Sequence, residues 1–370
     1  IYLSINSLLE KNLNKLKINN ILNILRSNKV LWTLVVLIIL FLSYLLTPNI
    51  YDKTEVKKVI TGQLIDKFFL NFDFSDNISY NFFPRPHFII ENSSISENQL
   101  RILKIKKLYI FVSLNNFFSL KDIVIKNVVL ENANFNLNIK NSNFFIKLLN
   151  NNYVNNKLIF KNANVFFRNI ENEVLFINKI IDMKYYYDPK ELKSTIYSKN
   201  EIFNIPYSYK SNKDEINKKI FSKINFNFLK LQIENELNYF DNKKKGSLKV
   251  IYNKKKSKAN YELNDNLFIF NYFDKLIDPN FTYNGKINLN PFFSDLRGNT
   301  DKLDLLSLLN SNFFIIQLIK TEILNNKNLN IDIGINAKKI KEYHNFNNFF
   351  LNLKIQEGLI HLDKTKLTWE

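Results

Sequence analysis

Residues 133–140 read "ANFNLNIK": Ala133, Phe135, Leu137 and Ile139 take turns with Asn134, Asn136, Asn138 and Lys140. A period of two sends successive side chains to opposite faces of an extended chain, so the stretch predicts a strand that is apolar on one side and amide-rich on the other. The rhythm extends both ways. Leu108, Ile110, Val112 and Leu114 alternate with Tyr109, Phe111 and Ser113, and Ile123 and Ile125 lead into Val128 and Leu130. Later come Ile224, Phe226 and Phe228, then Leu229, Leu231 and Ile233, then Ile331, Ile333 and Ile335, then Leu351, Leu353 and Ile355. In "FTYNGKINLN", Asn284 and Gly285 form the dipeptide favoured by two-residue hairpin turns. "KDIVIKNVVLENANFNL" from 121 resembles "NKLIFKNANVFFRNI" from 156, and "LKIQEGLIHLDKTKLTW" near the end repeats the strand, turn, strand rhythm. The pattern predicts a mainly β fold, an extended antiparallel meander.

Two helical signals interrupt the strands. "YDKTEVKKVITG" offers Asp52 as N-cap, Val56, Val59 and Ile60 on one face, and Gly62 placed to stop the helix. Over 300–325, Thr300 is a second cap candidate, and Leu303, Leu306, Leu309, Phe313, Ile316, Ile319 and Ile323 repeat at helical spacing. That segment predicts an amphipathic helix covering one end of the sheet, with further strands over 329–370.

The strongest local signal is "VLWTLVVLIILFLSYLL", Val30 to Leu46, without a single charge. At about 1.5 Å per residue it extends roughly 25 Å, enough with Thr47 for a bilayer core. Trp32 and Tyr44 lie near its ends, where interfacial aromatics belong, and Pro48 ends the helix. A cleaved signal peptide fits less well, because the run is long and no small-residue cleavage site follows it. Residues 30–47 therefore read as a transmembrane helix. Lys11, Lys15, Lys17, Arg26 and Lys29 precede it against one Glu10, which favours a cytoplasmic N-terminus and export of the long remainder. Within 1–29, Ile5, Leu9, Leu13 and Leu16 recur at helical spacing, fitting either an amphipathic helix on the membrane or a solvated tail. The chain opens with Ile1 and stops inside a strand pattern, so it reads as a piece of something longer.

Composition excludes several classes. With 46% hydrophobic residues the chain is far too apolar to be disordered. Lys plus Arg is 52 and Asp plus Glu is 34, a net charge of +18, but the lysines are spread along the chain with no nucleic-acid motif beside them. The expectation is no nucleic-acid partner. The Lys runs at 243–245 and 254–256 read as solvated turns and edges. There are no cysteines, and the six glycines form none of the phosphate-binding or nucleophile-elbow spacings. His87, His344 and His361 are far apart, without metal-ligand spacing, and no carboxylate pair stands out. The chain is thus expected to be no enzyme and to need no cofactor or metal.

An alternating sheet has one face that avoids water, satisfied either by a second layer of protein or by an apolar ligand. The period alone does not separate these. The anchor and the lack of polar site residues favour lipid. Each acyl CH₂ in water costs about 0.8 kcal/mol, so a chain of roughly 16 carbons meets a barrier above about 10 kcal/mol when it crosses water bare.

A short N-terminal end, one transmembrane helix, "EVKKVITGQL" with Thr61 and Gly62, "FFPRPHFIIENSSI" with Pro84 and Pro86, the strands from 103 to 137 and "LIFKNANVFFRN" together resemble the N-terminal part of the AsmA family. The resemblance covers about residues 30 to 170, and beyond that only the rhythm. One departure is "FDFSDNISYN", which stands where the family commonly has a glycine, so the first hairpin is expected to differ in shape. The resemblance implies a Gram-negative inner-membrane protein with a single span, its bulk (52–296 and onward) in the periplasm. It also implies kinship with chorein-type bridge-like lipid-transfer proteins, a curved sheet forming a hydrophobic groove, and a part in phospholipid movement and outer-membrane biogenesis. Leu108, Ile110, Val112, Leu114, Phe135, Leu137 and Ile139 are the expected groove lining, with Val30, Trp32, Tyr44 and Leu46 marking the anchor. The expected partners are phospholipid, the membrane, and other inner- or outer-membrane proteins. The alternative is a non-enzymatic assembly factor for outer-membrane proteins, working through edge strands.

Overall fold

The structure, a computed structural model, describes residues 29–370 except 69, 76, 98–99, 139–140, 142–143, 146–147, 149–155, 169–171, 240–243, 253, 265–266, 274–281, 290–291, 305–325 and 370. The tail 1–28, Ile139 and most of the predicted helix 300–325 lie outside the described residues. The chain begins with α1, Lys29–Leu46, followed by a 3-10 turn at Thr47–Ile50 where Pro48 is buried. Leu31–Ile50 is long and apolar enough to cross a membrane, and most of its side chains before Tyr44 face outward: Leu37 is 60% and Leu40 61% exposed.

Helix α2, Lys53–Phe68, starts where the sequence says it should. Asp52 Oδ1 accepts the backbone N–H groups of Thr54 (2.8 Å) and Glu55 (3.1 Å), which satisfies two donors that have no partner inside the helix. These bonds hold the Asp52 carboxyl below its ordinary range, the Thr54 hydroxyl contributing most. Gly62 does not stop the helix. Val56, Ile60, Leu64 and Phe68 recur every fourth residue and are all buried. Burying Leu64 and Phe68 gains about 1.5–3 kcal/mol each, more than the roughly 1 kcal/mol that a mid-helix glycine costs.

Among the described residues nineteen strands form one curved sheet. In order they are β1 Ile78–Asn81, β2 His87–Glu97, β3 Leu100–Val112, β4 Ile125–Leu137, β5 Lys157–Arg168, β6 Val174–Asp188, β7 Lys193–Ile202, β8 Ile205–Asp214, β9 Lys219–Phe226 and β10 Leu231–Asn238. Then follow β11 Lys244–Tyr252, β12 Lys255–Asn264, β13 Leu267–Phe273, β14 Thr282–Leu289, β15 Phe292–Leu303, β16 Asn330–Ile340, β17 Tyr343–Gln356, β18 Leu359–His361 and β19 Lys366–Trp369. From β1 to β17 each strand pairs with the next, and both β18 and β19 pair with β17. The meander is antiparallel with two exceptions. β4 and β5 are parallel, and so are β15 and β16, which requires the chain to return to the same end of the strands between them. The repeated "ENAN" and "KNAN" stretches are therefore parallel neighbours in register, Asn134 opposite Asn164, whose Nδ2 donates to Asn134 Oδ1 at 3.0 Å.

Two further expectations are corrected. Asn284 and Gly285 form no turn and lie inside β14, where Gly285 faces Phe270 on β13. A Cβ at Gly285 would stand 2.5 Å from Phe270 Cζ and 2.8 Å from Leu296 Cδ2, so the glycine makes room for an aromatic ring. Thr300 and Leu303 belong to β15 and open no helix; Thr300 pairs with Ala337 and Leu303 with Ile340 of β16.

A crease runs across five strands. In β2, β3, β4, β5 and β6 the inward-facing positions shift by one residue at the same level, at Asn92, Lys106, Asn132, Asn162 and Ile181, with paired register resuming on both sides. Asn92, Asn132 and Asn162 have φ of 53°, 53° and 49°, the left-handed region that asparagine tolerates better than most residues. The sheet also curls on itself. The Asn326 side-chain amide donates to the Leu175 carbonyl of β6, although β6 and β16 are separated by ten strand steps, about 48 Å on a flat sheet.

Candidate functional site

Helix α2 lies on the face of the sheet that carries Phe88, Ile90, Leu108, Ile110, Leu130 and Phe135, and with Leu70, Phe72 and Phe74 it closes a core over the first strands. Gln63 ties it down: its Nε2 donates to Ile123 O and its Oε1 accepts Ile125 N–H at 3.0 Å. Four of the residues expected to line a groove, Leu108, Ile110, Val112 and Phe135, are buried here. Phe145, from the β4–β5 crossover, packs on Phe135 at 5.9 Å, and Phe160 stands edge-on to it at 5.4 Å. Leu137 is half-buried opposite Phe167, Leu114 lies beyond β3 at 49% exposure, and Ile139 is outside the described residues. The six described residues of this set thus separate into four covered and two flanking positions.

The family-motif residues keep local roles. Thr61 Oγ1 donates to Lys57 O at 2.8 Å and Gly62 is mid-helix. Pro84 is exposed at the β1–β2 tip, and buried Pro86 accepts Val112 N–H at 3.1 Å. Of the anchor residues, Val30 is the second residue of α1, Trp32 and Leu46 are exposed, and Tyr44 turns inward. Its hydroxyl donates to Leu114 O at 2.8 Å and accepts Phe117 N–H at 3.1 Å, with the Phe117 ring stacked on it at 5.3 Å.

Beyond the core, the same face continues over β7 and β8 as a polar belt. Ser194, Ser198 and Asn200 of β7 and Ser211 of β8 are buried on it, and Asn200 Nδ2 donates to Ser198 Oγ at 2.7 Å. Tyr207 O–H donates to Asn178 Oδ1 at 2.8 Å, and burial pushes its phenol up to about 12.

From β9 to β17 the face turns apolar again. Ile224, Ile233, Val250, Leu248, Phe268, Ile287, Leu296, Ile333 and Leu353 occupy it, carried strand to strand by cross-strand pairs such as Ile224–Ile233, Ile233–Val250, Phe268–Ile287 and Ile333–Leu353. These side chains are half-buried, and among the described residues no second layer packs over them. Tyr261 over Gly246 and Phe270 over Gly285 lay rings flat along the face, the glycines having no side chain to lift them. The opposite face carries ion pairs, Glu234 with Lys249 at 2.9 Å and Lys223 at 3.6 Å, and Lys219 with Glu236 at 2.7 Å. The Lys249 hydrogen bond holds Glu234 below the ordinary carboxylate range.

Alternation alone did not single out this strip, because covered and uncovered strands share one period. A usable signal was helix length: α2 has 16 residues, about 24 Å, which reaches across roughly five strands at about 4.8 Å each. Strands farther along need another cover or none.

For polar chemistry the structure offers little. Among the described residues no group of three or more His, Cys, Asp or Glu stands close enough to hold a metal ion. His87 is buried at the end of β2, its Nδ1 2.7 Å from Arg85 O, while His344 and His361 lie far away on β17 and β18. No family model matches this chain, and no curated protein is detectably similar to it.

Proposed function

We propose that this chain is an AsmA-like protein, anchored in the bacterial inner membrane by α1 with its N-terminus cytoplasmic and its sheet in the periplasm. Its part is to carry phospholipid along the apolar face toward the outer membrane, in support of outer-membrane biogenesis and without catalysis. The observation that carries this reading is the half-exposed strip over β9–β17. A single layer with one apolar and one ion-paired face has a place for acyl chains and a place for water. Removing an acyl chain from water recovers about 0.8 kcal/mol per CH₂, so a strip of aliphatic and aromatic side chains lowers the crossing barrier without any energy source of its own. The groove lining in this reading moves from the Leu108 and Phe135 region, which serves as the closed foot of the sheet, to Ile233, Leu248, Phe268 and their neighbours.

The test is site-specific photocrosslinking of the full chain in cells, with benzoylphenylalanine at Leu248 on the apolar face and at Lys249 on the opposite face. Mass spectrometry of the products is expected to find phospholipid adducts at 248 and none at 249. Protein adducts at 248 without lipid would overturn the conduit and favour the assembly-factor reading.

A further inference from the structure

The sheet end beside α1 carries an apolar rim that the transport reading does not use. It consists of the β1–β2 tip, with Phe82 38% and Phe83 78% exposed, the segment after β3, with Leu114 49% and Phe118 76% exposed, and Ile50 at 85%. We propose that this rim seats in the headgroup-to-acyl boundary of the same bilayer that α1 spans, as a second lipid contact separate from the apolar strip. The proposal rests on reading α1 as a membrane span.

The depth of the rim is fixed by its bonds to the helix. Tyr44 lies two residues before the end of α1, about 3 Å inside it, and its hydroxyl holds both Leu114 and Phe117. The Phe118 ring leans on Tyr44 at 5.1 Å, and Tyr80 O–H, from β1, donates to Leu45 O at 2.8 Å. The loop and the hairpin are thus pinned at the level of the last turn of α1, inside the apolar stretch Leu31–Ile50. If that stretch is in the membrane, the rim meets the bilayer surface. Aromatic side chains are the ones that favour this boundary. Arg85 stands at the same tip, its guanidinium 5.3 Å over the Phe111 ring, an arrangement that keeps the stem on apolar surface and the charge free for lipid phosphate. Exposed apolar residues scattered singly are ordinary, but five on one rim, continuous with the outward apolar side of α1, form a patch. A protein covering this rim has to share it with the lipid around α1, so lipid is the occupant the geometry favours.

The test uses tryptophan fluorescence, since the chain has only Trp32 and Trp369. In the full chain with both changed to Phe, single tryptophans are placed by Phe118→Trp, Phe83→Trp, Leu37→Trp and Phe228→Trp. The proteins are reconstituted in equimolar phosphatidylethanolamine and phosphatidylglycerol vesicles carrying a nitroxide at a shallow or a mid-chain acyl position. Tryptophan at 118 and at 83 is expected to emit blue-shifted and to lose more fluorescence to the shallow nitroxide than to the mid-chain one. At 37 the mid-chain nitroxide should quench more strongly, and at 228, 57% exposed on a turn at the opposite sheet edge, neither should quench. Water-like emission at 118 and 83 with normal quenching at 37 overturns the rim proposal and leaves the span standing. Blue-shifted but unquenched emission there also overturns it, since protein then covers the rim. Absent quenching at 37 removes the span and the rim together. Circular dichroism of each variant checks folding, and 83 reports the same rim independently of 118.

Discussion

Single residues in this sheet act through the space and the protons they leave to neighbours. Gly285 and Gly62 make opposite predictions for the same change. Gly285→Ala pushes a methyl into Phe270 and Leu296 and is expected to destabilise by about 1–3 kcal/mol, whereas Gly62→Ala meets nothing within 4 Å and should stabilise by roughly 0.5–1 kcal/mol. Denaturant midpoints of the two variants in one detergent check both signs. Tyrosines make a third prediction. Burial raises Tyr80 and Tyr207 from the ordinary 10.0 to about 12, so the folded chain keeps protons that the unfolded chain releases between those values. Their contribution is complete below pH 10 and is lost as pH rises toward 12. A thermal-unfolding series across that window, with tyrosinate absorbance followed in parallel, is expected to show stability falling before the phenols ionise; a flat profile contradicts it.

Among the described residues, elements divide the sheet into a part covered by α2 and a part with no second layer over it. Under α2 and the β4–β5 crossover, Phe135→Glu places a carboxylate at a position only 3% exposed and is expected to abolish folding, while Leu248→Glu on the open strip should leave the circular dichroism spectrum intact. The apolar helix, the Asp52 cap and the faces of most strands were legible in the sequence, because each follows from local period or capping chemistry. The parallel pairings were not, since the same alternation serves either direction. A signal for them did exist. "NSNFFI" occurs at 141–146 and again at 310–315, each time between two strands that pair in parallel. At the first site Asn141 folds the chain back, its Oδ1 accepting Asn138 N–H at 2.9 Å and its Nδ2 donating to Asn136 O at 2.6 Å. Gly285 misled for a related reason: a dipeptide favoured in turns is equally the smallest residue beneath an aromatic ring.

At the scale of the whole molecule, curl brings distant strands together, and the absence of cysteine makes that testable with one engineered pair. Leu175→Cys with Asn326→Cys is expected to be bridged within one chain by a bismaleimide cross-linker, seen as a faster band on a denaturing gel; a pair that both label with monofunctional maleimide yet are never bridged argues against the Asn326–Leu175 contact. The crease through Asn92, Lys106, Asn132, Asn162 and Ile181 has a consequence of another kind. Each of the five strands carries its own extra residue, so their inward faces stay in phase with one another. Loss of the codon for Asn132 alone would leave β4 one residue short of β3 and β5 at the crease, so Ala133 and Phe135 would keep their inward face only with Lys106 and Asn162 bulging against a strand that lacks the matching residue. For insertions and deletions, five sites spread over some ninety residues of gene therefore behave as one locus.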